Sequence, residues 1–476
     1  MDPDFRPIDT EAHSFRVGMA ILIILIVGIA AVQVWAGLEN TSQTETSDNT
    51  NVLIVEDYVA RRAIASSSSE ERIFGFNLAL QIEYPSYQKS PAYYRRRGVM
   101  KQSVSKKDGL SDFKKIDSPA ATRGLSKEAI NRLRAEKTMW LHIYGPEKIS
   151  VKQAKSYVKE IRDLNLGPLK DIAISDVYRR AGLIKQADKQ LKQAQSSART
   201  ALIATYVVIG ILAACGLVGF ILLLFAVPKW LSGITHSSRY VLFASITLPA
   251  FLIYLATYYG LSGLVQIAID SFTGSLEYIQ QGTVLLSLSI GAALVAGAIG
   301  FSVLRKRAGE LNQDWRQIGF RTQSFKLDIG RGLVGFMIAL PLVLFAAQLS
   351  QKMSSTIFKN IPTPQQPFQD IISKGGALEV ALMFILASVV APIVEETFFR
   401  GTLFSAFRAR MGVLPSVLLC SVFFAFIHPL PGGFLPIFTL ACVLALLRER
   451  SGSLLPGMVC HSIYNAMTLA LSALFF

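Results

Sequence analysis

The sequence predicts an all-α membrane protein: a polytopic transmembrane helical bundle of about nine spans carrying a small, mostly helical extracytoplasmic domain. Three observations predict it. The 476 residues are 51% hydrophobic, with a mean hydropathy of +0.40, too apolar for an ordinary soluble protein of this size. Apolar runs near the ~20 residues that a bilayer-crossing helix needs recur along the chain. The excess of Lys and Arg, a net +15, is concentrated in particular loops.

The expected spans are Val17 to Gly37, Ala201 to Val227, Tyr240 to Leu264, Thr283 to Leu304, Gly332 to Leu349, Ala377 to Arg400, Gly412 to His428, Phe434 to Leu447 and Leu454 to Phe475. Gly412 to His428 and Phe434 to Leu447 are short for the task. The loop between the fourth and fifth spans holds Arg305, Lys306, Arg307, Arg316, Arg321, Lys326 and Arg331, which places it in the cytoplasm. Counting outward from it, Lys229 with Arg239, Arg408 with Arg410 and Arg448 with Arg450 also fall inside, while Val265 to Gly282 has no Lys or Arg and falls outside. The N-terminus is then cytoplasmic, and residues 38–200 lie outside the cytoplasm of a bacterial inner (cell) membrane. The expected parts are an N-terminal anchor at 1–37, the extracytoplasmic domain at 38–200, transmembrane helices at 201–349 and a catalytic membrane core at 350–476. Read instead as a signal peptide, the first span would be cleaved after Ala36. Its n-region argues against cleavage, because Asp2, Asp4, Asp9 and Glu11 outweigh Arg6 and Arg16.

Within the exposed domain, Leu38 to Asn51 reads as a polar tether. Tyr87 to Lys127 is basic and aromatic, with Tyr93-Tyr94-Arg95-Arg96-Arg97 at its centre. It reads as a solvated basic face or a surface for anionic lipid or polymer. An extracytoplasmic location excludes nucleic acid as a partner. Ser126 and Ser150 are expected helix N-caps. Residues 171–195 resemble one tetratricopeptide unit, two short helices with a glycine at their turn. All four cysteines, Cys215, Cys420, Cys442 and Cys460, lie in apolar spans and read as buried small apolar residues.

The chemistry-bearing residues lie in the last quarter of the chain. Glu395-Glu396-Thr397-Phe398-Phe399-Arg400-Gly401 follows an almost wholly apolar run. Ionisable groups at membrane depth are costly and mark functional sites. On a helix Glu396 and Arg400 share a face and pair, while Glu395 points elsewhere, free to take a proton. The same residues also suit a buried ion pair that only braces helices. Phe424-Ala425-Phe426-Ile427-His428 ends in a Pro- and Gly-rich break, and His461 and Asn465 stand four apart on the last span. Broken backbone at membrane depth is tolerated where it lines a cavity.

The order Glu-Glu-x-x-Phe-Arg-Gly, Phe-x-x-x-His, His-x-x-x-Asn resembles the CPBP family, which includes CAAX-type prenyl-protein endopeptidases and bacteriocin-processing or immunity proteases. The resemblance covers about residues 376–476. It implies an intramembrane endopeptidase acting on a membrane-associated protein or peptide, with Glu395, His428, His461 and Asn465 catalytic and Glu396 and Arg400 supporting. Two mechanisms fit. In one, Glu395 is general base on a water also held by His428, and His461 and Asn465 donate to the oxyanion, with no cofactor. In the other, Glu395, His428 and His461 bind Zn²⁺. The glutamate route is preferred, because there is no His-Glu-x-x-His signature and Asn465 is a poor zinc ligand. The rival readings are a non-proteolytic transporter or ion relay, and an inactive scaffold of the same family. Span counting alone puts Glu395 and His428 at opposite depths, and they meet only if the Glu395 helix runs on to about Arg408. The substrate, prenylated or not, is not legible.

Overall fold

The computed structural model describes residues 15–26, 28, 50–81, 90–105, 109–119, 121–122, 126–164, 166–232, 244–272, 278–320, 325–357, 376–428 and 433–475. Among these residues every regular element is a helix. The chain divides into two compact units, one spanning Asn40–Gly210 and the other Ile211–Ala473 with Met1–Glu39. The proposed tether as far as residue 49, the Ala36 cleavage point and the Pro429 to Gly432 break lie outside the described residues, and Thr50 and Asn51 open a helix.

The first unit is built from short capped helices. Ser68, Ser90, Ser126 and Ser150 each accept a backbone N–H of the following first turn, satisfying donors the helix cannot use. Ser150 forms a full capping box with Gln153. The core gathers Phe76, Phe113, Trp140, Ile143, Ile161 and Val177. Phe113 stacks on Trp140 at 5.1 Å and on Tyr144 at 5.4 Å. Lys170–Arg180 and the helix starting at Ile184 are joined by a turn at Gly182, whose φ of 76° lies in the left-handed region. Ser175 Oγ donates to the Ala187 carbonyl at 2.9 Å where these helices cross.

Two arginines at the centre of the basic aromatic segment differ from its expected role, while Lys114 and Lys115 are exposed. Arg95 forms a bidentate pair with Glu136 at 2.6 and 2.7 Å. Arg96 donates from Nε to Glu56 at 2.7 Å and from Nη2 to Asp57. Both arginines are buried. They brace the unit rather than face solvent or anions, because acidic residues distant in sequence fold over them. Nearby, Asp176 accepts from the Tyr144 hydroxyl at 3.0 Å. Burial pushes its carboxyl up to about 6, against the opposing pull of Tyr144, Arg179 and Arg72.

In the second unit, each of the nine expected apolar runs lies at least partly on a helix. Among the described residues five helices are long and apolar enough to cross a membrane: Ile184–Phe225, which begins in the first unit, Ala244–Ile269, Gly282–Glu310, Phe325–Ser350 and Ala377–Arg408. Val413–Phe426 has 14 residues, about 21 Å at 1.5 Å per residue, short of a ~30 Å hydrocarbon layer. Phe434–Ser451 ends in Arg448-Glu449-Arg450. Arg408 pairs with Glu449 at 3.0 and 3.2 Å, and Arg448 reaches the Gln317 carbonyl at 3.3 Å. These two cations are buried, so each has a structural use beyond any part in setting orientation.

The Ala377–Arg408 helix positions the chemistry. It runs unbroken to Arg408 but widens twice into π-helix, at Leu386–Val390 and Glu396–Leu403. Pro392 accounts for the first. In π register the Ala391 N–H reaches the Leu386 carbonyl, and the next donor would be Pro392, which has no N–H. Aromatic packing holds the second. Phe398 stacks on Tyr254 at 4.0 Å, while Phe399 meets Phe251 at 5.0 Å and Phe424 at 4.9 Å, both edge-on.

Candidate active site

Six sequence-singled residues converge from two helices and one helix end. Glu396 and Arg400 pair across one turn, Nη1 to Oε1, at 2.9 Å. Arg400 Nη2 also donates to the Ala441 carbonyl at 3.2 Å, and its guanidinium lies over the Phe424 ring at 4.3 Å from the centroid. Both members are fully buried. Glu395, one residue earlier, points away from this pair and keeps 18% of its side chain exposed.

His461, on Leu455–Phe475, stands between the two carboxylates. Its Nδ1 is 3.3 Å from Glu396 Oε1, and its Nε2 is 3.9 Å from Glu395 Oε2. Cys460, its neighbour, is buried with Phe336, Ala339 and Leu444, so the thiol and the imidazole face different surroundings. His428 follows the Val413–Phe426 helix, and its Nδ1 lies 2.7 Å from the Phe424 carbonyl oxygen. A carbonyl only accepts, so Nδ1 carries the proton and Nε2 is left as an acceptor. Glu395 is close enough to act electrostatically on His428 and on Tyr254, Tyr258 and Tyr259.

Asn465 has a different engagement from the one expected. Its Nδ2 donates to the Ala387 carbonyl at 2.7 Å. That carbonyl is the one Pro392 leaves without a π-register donor. One amide proton therefore ties the last helix to the catalytic helix, and one remains for a substrate oxygen.

Two participants were not found by reading the sequence. A Cβ at Gly457 would lie 2.6 Å from Glu396 Oε2, so only glycine lets the last helix approach this carboxylate closely. Among the described residues Glu396 Oε2 and Arg400 Nε, both buried, have no hydrogen-bond partner. Tyr259, whose hydroxyl donates to the Ile427 carbonyl at 2.7 Å, is the second. Pro392 was the legible signal for the widened turn; nothing in the sequence singled out Gly457 or Tyr259.

Among the described residues no three His, Cys, Asp or Glu side chains converge closely enough to hold an ion. His461 Nδ1 faces Glu396 and His428 Nδ1 faces Phe424, which leaves Nε2 of each ring as the atom that could face an ion. As placed, Glu395, His428 and His461 do not form a tetrahedral cage.

Residues 377–467 match the family model of the Type II CAAX prenyl endopeptidase Rce1-like proteins. The matched segment contains Glu395, Glu396, Arg400, His428, His461 and Asn465, the whole of the cluster. It supports a CAAX-type intramembrane protease family for this part of an integral membrane protein. The first unit and the Ala244–Phe272 helix lie outside the CAAX-type segment. No curated protein and no solved structure matches the chain.

Proposed function

We propose that this protein is an intramembrane endopeptidase that cleaves a membrane-associated protein or peptide through a water activated by Glu395. The observation that carries the reading is His461 held between two carboxylates of which Arg400 neutralises only one. Glu396 is committed to Arg400 and orients His461. Glu395 is left to accept a proton.

Glu395 takes a proton from a water that His428 Nε2 also holds. The hydroxide attacks the scissile carbonyl carbon, and the C=O electron pair moves onto oxygen. His461, as an imidazolium with Nδ1–H toward Glu396, donates from Nε2 to that oxygen, and the second Asn465 amide proton supplements it. Collapse expels the amine, which takes its proton from Glu395. A general base contributes about 10²–10⁴-fold and one oxyanion donor about 10²–10³-fold. No metal enters these steps. The purified protein should therefore carry no stoichiometric Zn²⁺ and keep its activity in strong chelators. One tightly bound zinc per chain, lost on His461→Ala, would assign the water to the metal.

The reading extends to nine spans, with the N-terminus inside and residues 38–200 outside the cytoplasm, where they recruit substrate or partner. Cysteines introduced into that unit, in a chain lacking the native four, should react with an impermeant thiol reagent once the outer membrane is permeabilised. Labelling seen only after the inner membrane is opened would reverse the topology. The test of function is a proteomic comparison of membrane and released peptides from cells with wild-type protein and with Glu395→Gln. Peptides that depend on Glu395 support the reading, and identical peptide sets count against it.

A further inference from the structure

The geometry points to Tyr259 as a positioning residue for His428, contributed by a helix outside the CAAX-type segment. The inference rests on the proposed role of His428.

The argument starts at the end of the Val413–Phe426 helix. The last carbonyls of a helix have no partner within it, and Pro429 brings no N–H to them. Three hydrogen bonds at this end hold the His428 ring and its peptide plane. Its backbone N–H donates to the Ala425 carbonyl at 3.2 Å. Its ring Nδ1–H donates to the Phe424 carbonyl at 2.7 Å. The third is the Tyr259 hydroxyl on the Ile427 carbonyl at 2.7 Å. Ile427 C=O belongs to the peptide unit whose N–H is that of His428, so this plane is pinned at both edges.

Two of the three bonds are local and travel with the helix end. Of these three, the Tyr259 bond is the one that reaches another helix, Ala244–Phe272. That helix reaches the catalytic helix as well, through Tyr254 on Phe398 and Phe251 on Phe399. Ala244–Phe272 therefore sets the spacing between the Glu395 side and the His428 side of the site. The Tyr259 proton is committed to the carbonyl, so the phenol acts through His428 and not on substrate. A shift of about 1 Å in a reacting group costs up to ~10²-fold in rate.

The test is Tyr259→Phe in the full-length protein, in detergent and in liposomes. Two readouts are used. Hydrogen exchange of peptides covering residues 420–428 reports the helix end without any reaction. It should quicken, while peptides from Phe434–Ser451 stay unchanged. Turnover of a fluorogenic peptide carrying a cleavage site from the proteomic comparison should fall about tenfold in kcat, with KM within twofold. Unchanged exchange, or quicker exchange with unchanged kcat, overturns the inference. A fall in turnover matched by general unfolding or by a raised KM also overturns it, since it makes Tyr259 a packing residue. Glu395→Gln is run beside it. If that variant stays active the general-base reading fails, and the exchange result still decides whether Tyr259 holds His428.

Discussion

The first unit and the candidate active site both bury arginine–carboxylate pairs and finish them differently, while Arg408 and Glu449 elsewhere in the second unit form a closed, bidentate pair like those of the first. In the first unit Arg96 is closed by two carboxylates, Glu56 and Asp57, and Arg95 by both oxygens of Glu136. In the site, Arg400 holds only one oxygen of Glu396, and among the described residues Glu396 Oε2 and Arg400 Nε have no hydrogen bond. The neighbours of that pair are a histidine, a second carboxylate and a glycine. A closed buried pair braces a fold. An open one in the same kind of burial holds a reactive side chain in place. Charge and burial are alike in the two cases, and the completeness of the hydrogen bonding separates them.

Breaking each pair tests that contrast and should give the largest stability effects. Arg96→Met leaves Glu56 and Asp57 buried without a cation, and Glu396→Gln leaves Arg400 without an anion. Each should destabilise by about 3–5 kcal/mol, read from thermal unfolding in detergent. Turnover per folded molecule should be unchanged in Arg96→Met and reduced in Glu396→Gln. Equal turnover in both would show that the open pair is only a brace.

The parts of this contrast that follow from local spacing were legible in the sequence. The Glu396–Arg400 pair follows from four-residue spacing, the helix end at Arg408 from the need to bring Glu395 to His428, and the Ser126 and Ser150 caps from their place before amphipathic runs. The parts set by tertiary packing were not. Nothing local told that Glu136, Glu56 and Asp57 would close over Arg95 and Arg96. The π turn at Glu396–Leu403 is held by aromatic partners from other helices. The His-x-x-x-Asn spacing did not tell that one Asn465 amide proton would go to the Ala387 carbonyl, which Pro392 leaves without a donor. Among the described residues five helices meet the length and hydropathy of a span where nine were expected. Of the other four, Val413–Phe426 has 14 residues, Phe434–Ser451 carries Arg448, Glu449 and Arg450, and Val17 to Gly37 is described only in part.

A second comparison concerns a carboxyl buried without a matching cation bond. Asp176 in the first unit is raised to about 6 by burial. A raised folded value means that the folded chain binds the proton more tightly than the unfolded one. The stability from this group is then fully present below 3.8, its ordinary value, and is lost as pH rises through about 6. Asp176→Asn keeps an acceptor for Tyr144 and removes the charge. It should stabilise the unit at neutral pH by ~3 kcal/mol and flatten its pH dependence between 4 and 6.5. Hydrogen exchange of residues 127–180 in the full-length protein is the measurement. A variant less stable than wild type at pH 7.5 would show that the Asp176 charge is needed.

The smallest effects come from two glycines. Gly182→Ala places a Cβ in the left-handed region with open space around it, and should cost about 1 kcal/mol with no change in turnover. Gly457→Ala pushes against Glu396 Oε2 and should cost about 1–3 kcal/mol while lowering kcat. Equal turnover in the two variants would remove Gly457 from the account of the site.

The account turns on Glu395 being the one carboxylate left free. The most direct test is single-turnover cleavage of a membrane-inserted peptide by purified protein in liposomes, wild type against Glu395→Gln. The account predicts a loss of about 10²–10⁴-fold with unfolding temperature unchanged, because Glu395 makes no hydrogen bond among the described residues. Turnover within a fewfold of wild type would contradict it and move the proton transfer to another group.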